Sequence, residues 1–119
     1  MDQKDGAMAL RREPHVLVVG GSDSSGGAGI ARDIETISSI GVRTSLAVTA
    51  LTVQTHEAVK KIHHSPPSLV ADQMRAALQA NKVAAIKIGM LASPEIIVAV
   101  AAVLRENPHV PAILDPVLA

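Results

Sequence analysis

His15-Val16-Leu17-Val18-Val19-Gly20-Gly21-Ser22-Asp23-Ser24-Ser25-Gly26-Gly27-Ala28-Gly29-Ile30 is the stretch that decides the fold class. Its first five residues form a short Val-rich run bounded by Gly20-Gly21, which reads as a buried strand. Residues 20–29 follow as a loop of small residues with five glycines. Ile30, Ile34, Ile37 and Ile40 then recur at helical spacing, and Gly41 stands where a helix C-terminal glycine belongs. A strand, a glycine-rich loop and a helix in succession open an α/β chain.

The same alternation continues outward. Residues 44–51 are apolar and β-branched, and read as one buried strand. A polar break at 52–57 precedes a third short strand at 58–63, stopped by Ser65-Pro66-Pro67. Leu69, Val70, Gln73, Met74, Ala77 and Leu78 fall at helical spacing. Residues 83–88 form a fourth strand ended by Gly89. Ser93-Pro94 supplies an N-cap hydroxyl and a first-turn proline for a helix running to about Asn107. A fifth strand, at 112–114, ends at Asp115-Pro116. Strands alternating with helices over short connections predict a mostly parallel sheet with helices on its faces, in right-handed crossovers.

Composition narrows the classes. The chain has 119 residues, 48% of them apolar, with 11 basic and 11 acidic side chains and zero formal net charge. That is too apolar for disorder and too balanced for a dedicated nucleic-acid surface. The absence of cysteine excludes a disulfide scaffold, a thiol nucleophile and thiolate metal sites. There is no Phe, Tyr or Trp, so the core is aliphatic and no base can stack on this chain's own rings. The longest apolar run, 96–104, has about half the length that spans a bilayer. Residues 1–14 read as a disordered N-terminal arm without a signal-peptide core, and 15–119 as the folded domain; no membrane partner and a cytoplasmic location are expected.

In parallel α/β sheets ligands bind outside the carboxyl ends of the strands. The loop at 20–29 lets a ligand approach the backbone and exposes amides at a helix mouth, or it is an ordinary strand-to-helix turn. It lacks the Gly-Lys-Ser/Thr of a Walker loop and the spacing of the dinucleotide fingerprint. Asp33 is either stabilised by the helix dipole or a ligand contact. Gln54 either offers its amide to a polar heterocycle or faces solvent. Lys87, inside an apolar strand, snorkels to the strand end or pairs with a carboxylate. Asp115 either holds Mg²⁺ or is a turn residue before proline. His63 and His64 are adjacent on a strand, point to opposite faces and cannot easily share one ion.

Gly20 through Ile30, then Asp33, then Val48-Thr49-Ala50-Leu51-Thr52-Val53-Gln54, then Lys87-Ile88-Gly89-Met90-Leu91, then Leu114-Asp115-Pro116-Val117 resemble, in order and spacing, the bacterial hydroxymethylpyrimidine/phosphomethylpyrimidine kinases of the ribokinase-like superfamily. Pyridoxal kinases share the later blocks more loosely. The resemblance implies a three-layer α/β/α fold, of which about the first five strands are present. It implies ATP-dependent, Mg²⁺-assisted phosphorylation of 4-amino-5-hydroxymethyl-2-methylpyrimidine and then its monophosphate, for thiamine diphosphate biosynthesis. It makes Gln54 the ring-binding residue, with Asp33, Gly21, Thr52 and Met90 around the same pocket, and sets Asp115 near Mg²⁺ and the ATP phosphates. It implies a homodimer in the full-length family protein. At Thr52 the family often carries an apolar residue. The family's catalytic aspartate lies in a later glycine-rich anion hole, whereas the last glycine here is Gly89. The expectation is therefore the substrate half of a kinase, inactive alone; the alternatives are a pyrimidine-binding module, a remnant, or a pyridoxal-kinase-like enzyme.

Overall fold

The computed structural model describes residues 13–91 and 93–115. Strand β1 (Pro14–Gly20) leads into helix α1 (Gly29–Ser39), then β2 (Arg43–Val48), β3 (Ala50–Gln54) and β4 (Val59–His64). Helix α2 (Pro67–Ala80), β5 (Lys82–Ile88), α3 (Pro94–Glu106) and β6 (Ala112–Leu114) complete the order. Four strands form one sheet in the order β2-β1-β5-β6, all parallel, while β3 and β4 form a separate antiparallel pair.

Strand alternation sorts the side chains between two layers. Leu17 and Val19 on β1 align with Ile86 and Ile88 on β5, and all four enter the core with Met74 and Val70 of α2 and Ile96, Val100 and Val103 of α3. The opposite face carries Val18, buried under α1, which packs against β1 and β2. The result is the expected α/β/α arrangement, built from aliphatic side chains. Helix α1 ends as its sequence predicts, with Gly41 at φ 79°. Helix α3 starts as predicted, with Ser93 Oγ accepting from the Ile96 amide at 3.2 Å.

Three expectations change. Residues 44–51 are not one strand. The chain leaves the sheet at buried Thr49, whose amide donates to the Gly20 carbonyl at 2.9 Å and whose hydroxyl donates to the Met90 carbonyl at 2.7 Å. The polar break at 52–57 is largely strand: Thr52–Gln54 pair with β4 and only the reversal through Thr55–Ala58 is a turn, closed by the Thr55 amide on the Ala58 carbonyl at 2.9 Å. The third strand therefore belongs to a hairpin standing off the parallel sheet. The arm expected over 1–14 lies outside the described residues up to 12; Pro14 itself opens β1, and Glu13 pairs with Arg43 at 2.9 Å.

Candidate functional site

β1 lies between β2 and β5, so the chain crosses in opposite directions on either side of it. Such a reversal opens a crevice at the carboxyl ends of the strands. A cavity of about 450 Å³ occupies that crevice. It is lined by Gly20 and Gly21 from the end of β1, Gly89 and Met90 after β5, and Asp115 after β6. Ser22, Asp23, Ala28 and Gly29 come from the glycine-rich loop, Arg32 and Asp33 from α1, Gln54 from the hairpin and Lys87 from β5.

The loop is shaped by its own hydrogen bonds. Asp23 Oδ1 accepts from the Ser25 amide at 2.8 Å and the Ser25 hydroxyl at 2.5 Å. The Ser25 hydroxyl, ahead of a burial effect of opposite sign and further backbone amides, holds the Asp23 carboxyl below its usual range. Gly26 and Gly29 have φ of 77° and 67°, the left-handed region that L side chains avoid. At Gly29 a Cβ would also lie 2.5 Å from the Gly21 carbonyl oxygen, so close approach as well as conformation requires glycine. Helix α1 begins at this loop with no side-chain cap; its Ile30 amide donates instead to the Gly21 carbonyl at 3.2 Å.

The hairpin is tied to the loop at three points. The Ser22 amide donates to the Ala50 carbonyl at 2.9 Å. The Ser24 hydroxyl accepts from the Gln54 amide at 2.8 Å and donates to the Gln54 carbonyl at 3.1 Å. The Thr52 hydroxyl donates to the Ser22 carbonyl at 2.5 Å. Gln54 is thereby brought over the cavity.

At the far end of the cavity, Lys87 Nζ pairs with Asp33 and lies 3.4 Å from Asp115 Oδ2. Burial works against the Lys87 charge, but the hydrogen bonds and fields of Asp33 and Asp115 outweigh it and hold the ammonium above its usual pKa. The group stays protonated at neutral pH, between two carboxylates.

Of the residues singled out in the sequence, Gly21, Asp33, Gln54, Met90 and Asp115 line this one cavity. Thr52 stands behind Gln54 instead, 8% exposed and bonded to it. Asp33 sits beyond the first turn of α1, and its partner is Lys87 rather than the helix N-terminus. His63 and His64 are exposed on β4, away from the lining. Lys87, Asp23 and Arg32 were not among the expected site residues; Lys87 had a signal, as the one charge between Val83 and Met90. No group of three or more His, Asp or Glu suited to a metal occurs among the described residues, and none of their helices is long and apolar enough to cross a membrane.

The crevice at the switch point thus combines a glycine-rich wall, the Gln54 amide and the charges of Asp33, Lys87 and Asp115, and comparison with known proteins gives the family. Residues 23–119 match the sequence model of the family described as phosphomethylpyrimidine kinase. The chain belongs to that family. It is 48% identical over 107 residues to the hydroxymethylpyrimidine/phosphomethylpyrimidine kinase of Mycobacterium tuberculosis, covering 89% of this chain and 39% of that protein. It is 47% identical to the thiamine biosynthesis bifunctional protein ThiED of Geobacter sulfurreducens, covering 87% of this chain and 21% of that protein. Among solved structures, phosphomethylpyrimidine kinase from Clostridium difficile superposes with a TM-score of 0.81 at 35% identity, over 90% of this chain and 46% of that one. The pyridoxal kinase of Staphylococcus aureus in complex with pyridoxal gives 0.77 at 29% identity, over 90% and 40%. The chain thus spans less than half the length of these relatives.

Proposed function

We propose that these residues form the substrate half of a kinase that transfers phosphate from ATP to 4-amino-5-hydroxymethyl-2-methylpyrimidine and then to its monophosphate, in thiamine diphosphate biosynthesis. The observation that carries this reading is Gln54, held over the switch-point crevice by Ser24 and Thr52. A flat, polar heterocycle fits between a small-residue wall and an amide that both donates and accepts. Gly21 and Met90 flank the ring; Asp33 and Lys87 face its polar substituents.

Asp115 suits Mg²⁺ as a single point of attachment. Its carboxylate is 59% exposed at the end of β6, and Mg²⁺ commonly takes one or two carboxylates with water and substrate phosphates. The ion would neutralise phosphate charge there. Lys87 already shares that carboxylate, so it is positioned to take part in balancing the charge. Phosphoryl transfer depends on positioning and electrostatics, and the family's catalytic base and most adenosine contacts fall in the later part of its pattern. The described residues are those that hold and orient the substrate. By resemblance to the bacterial enzymes the reading places the protein in the cytoplasm, and the resemblance also implies a homodimer of the complete protein.

The test is titration calorimetry of the chain with 4-amino-5-hydroxymethyl-2-methylpyrimidine, beside pyridoxal, before and after Gln54→Ala. The reading expects the pyrimidine to bind and Gln54→Ala to weaken it by roughly 5- to 100-fold, as for one or two lost neutral hydrogen bonds. Binding of pyridoxal in preference to the pyrimidine overturns it.

A further inference from the structure

We propose that Thr52 is a positioning residue that fixes which way the Gln54 amide points, and so makes the pocket select a ring edge carrying an amino donor beside a ring-nitrogen acceptor. The inference rests on the pyrimidine reading above and deepens it.

The Thr52 hydroxyl has a single proton and two close partners. One is the Ser22 carbonyl oxygen at 2.5 Å, which can only accept. The other is the end of the Gln54 side chain at 3.0 Å. Thr52 is buried, so solvent does not replace either partner. If the hydroxyl proton turned toward Gln54, two oxygen lone pairs would face each other at 2.5 Å across the Ser22 contact. The proton therefore goes to Ser22, and Thr52 Oγ1 is left as an acceptor. The group that Gln54 presents to it must be the NH₂. This assignment follows from the proton count, independently of how the two ends of an amide are told apart.

Both ends of the chain of bonds are anchored. The Ser22 amide is bonded to the Ala50 carbonyl, which holds the Ser22 peptide in place. The Gln54 backbone is held on both its amide and its carbonyl by Ser24. With one N–H spent on Thr52, Gln54 retains its carbonyl oxygen and its second N–H. Neither is taken up by another hydrogen bond among the described residues, and Gln54 lines the cavity.

A ligand must then donate to Gln54 Oε1 and accept from Nε2–H. A 4-aminopyrimidine edge does both, through its exocyclic amine and the adjacent ring nitrogen. The 4-oxo counterpart presents the reverse pattern, an exocyclic acceptor beside a ring N–H. Accepting it requires the amide to flip, which sets Oε1 against an oxygen with no proton to give.

The test is titration calorimetry of the full chain with 4-amino-5-hydroxymethyl-2-methylpyrimidine and its 4-oxo counterpart, in the unsubstituted protein, Thr52→Val and Thr52→Ser. The expected preference for the amino compound is on the order of 100-fold in the unsubstituted chain, since a site built around hydrogen bonds rejects a ligand that leaves them unpaired. It should fall to a few-fold in Thr52→Val, where the amide is free to turn, and return in Thr52→Ser. A merely structural role for Thr52 would weaken both ligands alike. A preference retained in Thr52→Val overturns the inference and leaves the pyrimidine reading standing; failure of the 4-amino compound to bind the unsubstituted chain overturns both. Should Thr52→Val not fold, proton exchange in the unsubstituted chain decides. One slow Gln54 side-chain N–H, against fast exchange at exposed Gln79, supports the lock, and two fast ones overturn it.

Discussion

Lys87 ties the parallel sheet to α1 by reaching from β5 to Asp33, and the same ammonium faces Asp115 at the end of β6. One cation thus serves two carboxylates that arrive from elements 54 residues before it and 28 after it. Without it, Asp33 and Asp115 would lose the cation they share in a cavity whose lining also carries the charges of Asp23 and Arg32.

Lys87→Met is therefore expected to cost about 1–3 kcal/mol, between an exposed pair and a fully buried one, because it leaves Asp33 without its partner. Adding Asp33→Asn should recover part of that loss, since the uncompensated charge goes with it. Urea unfolding of the two single variants and the double variant measures the coupling. Strictly additive losses would show that the pair is not an energetic unit.

Two glycines of the same wall should respond differently to alanine. At Gly29 the new Cβ meets a backbone oxygen at 2.5 Å in a left-handed conformation, and neither can move cheaply. Gly29→Ala should lower stability by about 2 kcal/mol or more. At Gly21 the close neighbour is the Met90 methyl at 2.6 Å, the far end of a flexible side chain. Gly21→Ala should cost less than about 1 kcal/mol while pushing Met90 into the cavity and weakening pyrimidine binding. Thermal unfolding and calorimetry on each variant separate the two effects; equal stability losses would contradict the argument.

The Asp23 carboxylate titrates below its ordinary value in the folded chain. Its contribution to stability is therefore present above the ordinary carboxylate range and is lost as pH falls through the lower, folded value. Asp23→Asn should be less stable than the unsubstituted chain at neutral pH, with the gap closing below pH 3.8, the ordinary value for Asp. Urea midpoints followed across that range check the sign. A gap that widens on acidification would assign Asp23 the opposite role.

The sheet and its crevice were legible because residues 15–19, 83–88 and 112–114 carry their own boundaries: glycine, proline or aspartate after each apolar run. The hairpin was not. Residues 44–51 contain no glycine, proline or charge to mark a break, and what takes the chain out of the sheet is the pairing of Thr49 with Gly20 and Met90, residues 29 before it and 41 after it. A local signal did exist in the alternation Leu51, Thr52, Val53, Gln54, whose apolar members are exposed and whose polar members turn toward the loop. Within the site, the lone charge of Lys87 was visible as a pairing candidate. The role of Thr52 was not, because its partner Ser22 lies 30 residues away and only folding brings the two together.

The same sheet sets the behaviour of the chain at higher concentration. β6 pairs with β5 on one side, and among the described strands nothing pairs with its other side. Its three residues are exposed, Ile113 by 58% and Leu114 by 68%. Strands of parallel sheets are ordinarily covered on both faces, and an uncovered edge offers a row of backbone donors and acceptors to another chain. Zero formal net charge supplies little repulsion to oppose contact. The chain should therefore self-associate through β6, and Leu114→Lys should reduce that association by setting a charge on the exposed edge. Size-exclusion chromatography with light scattering over a concentration series measures both. A mass that stays monomeric at every concentration, with cooperative thermal unfolding, would mean that the six strands and three helices described suffice by themselves and that this edge is not a contact surface.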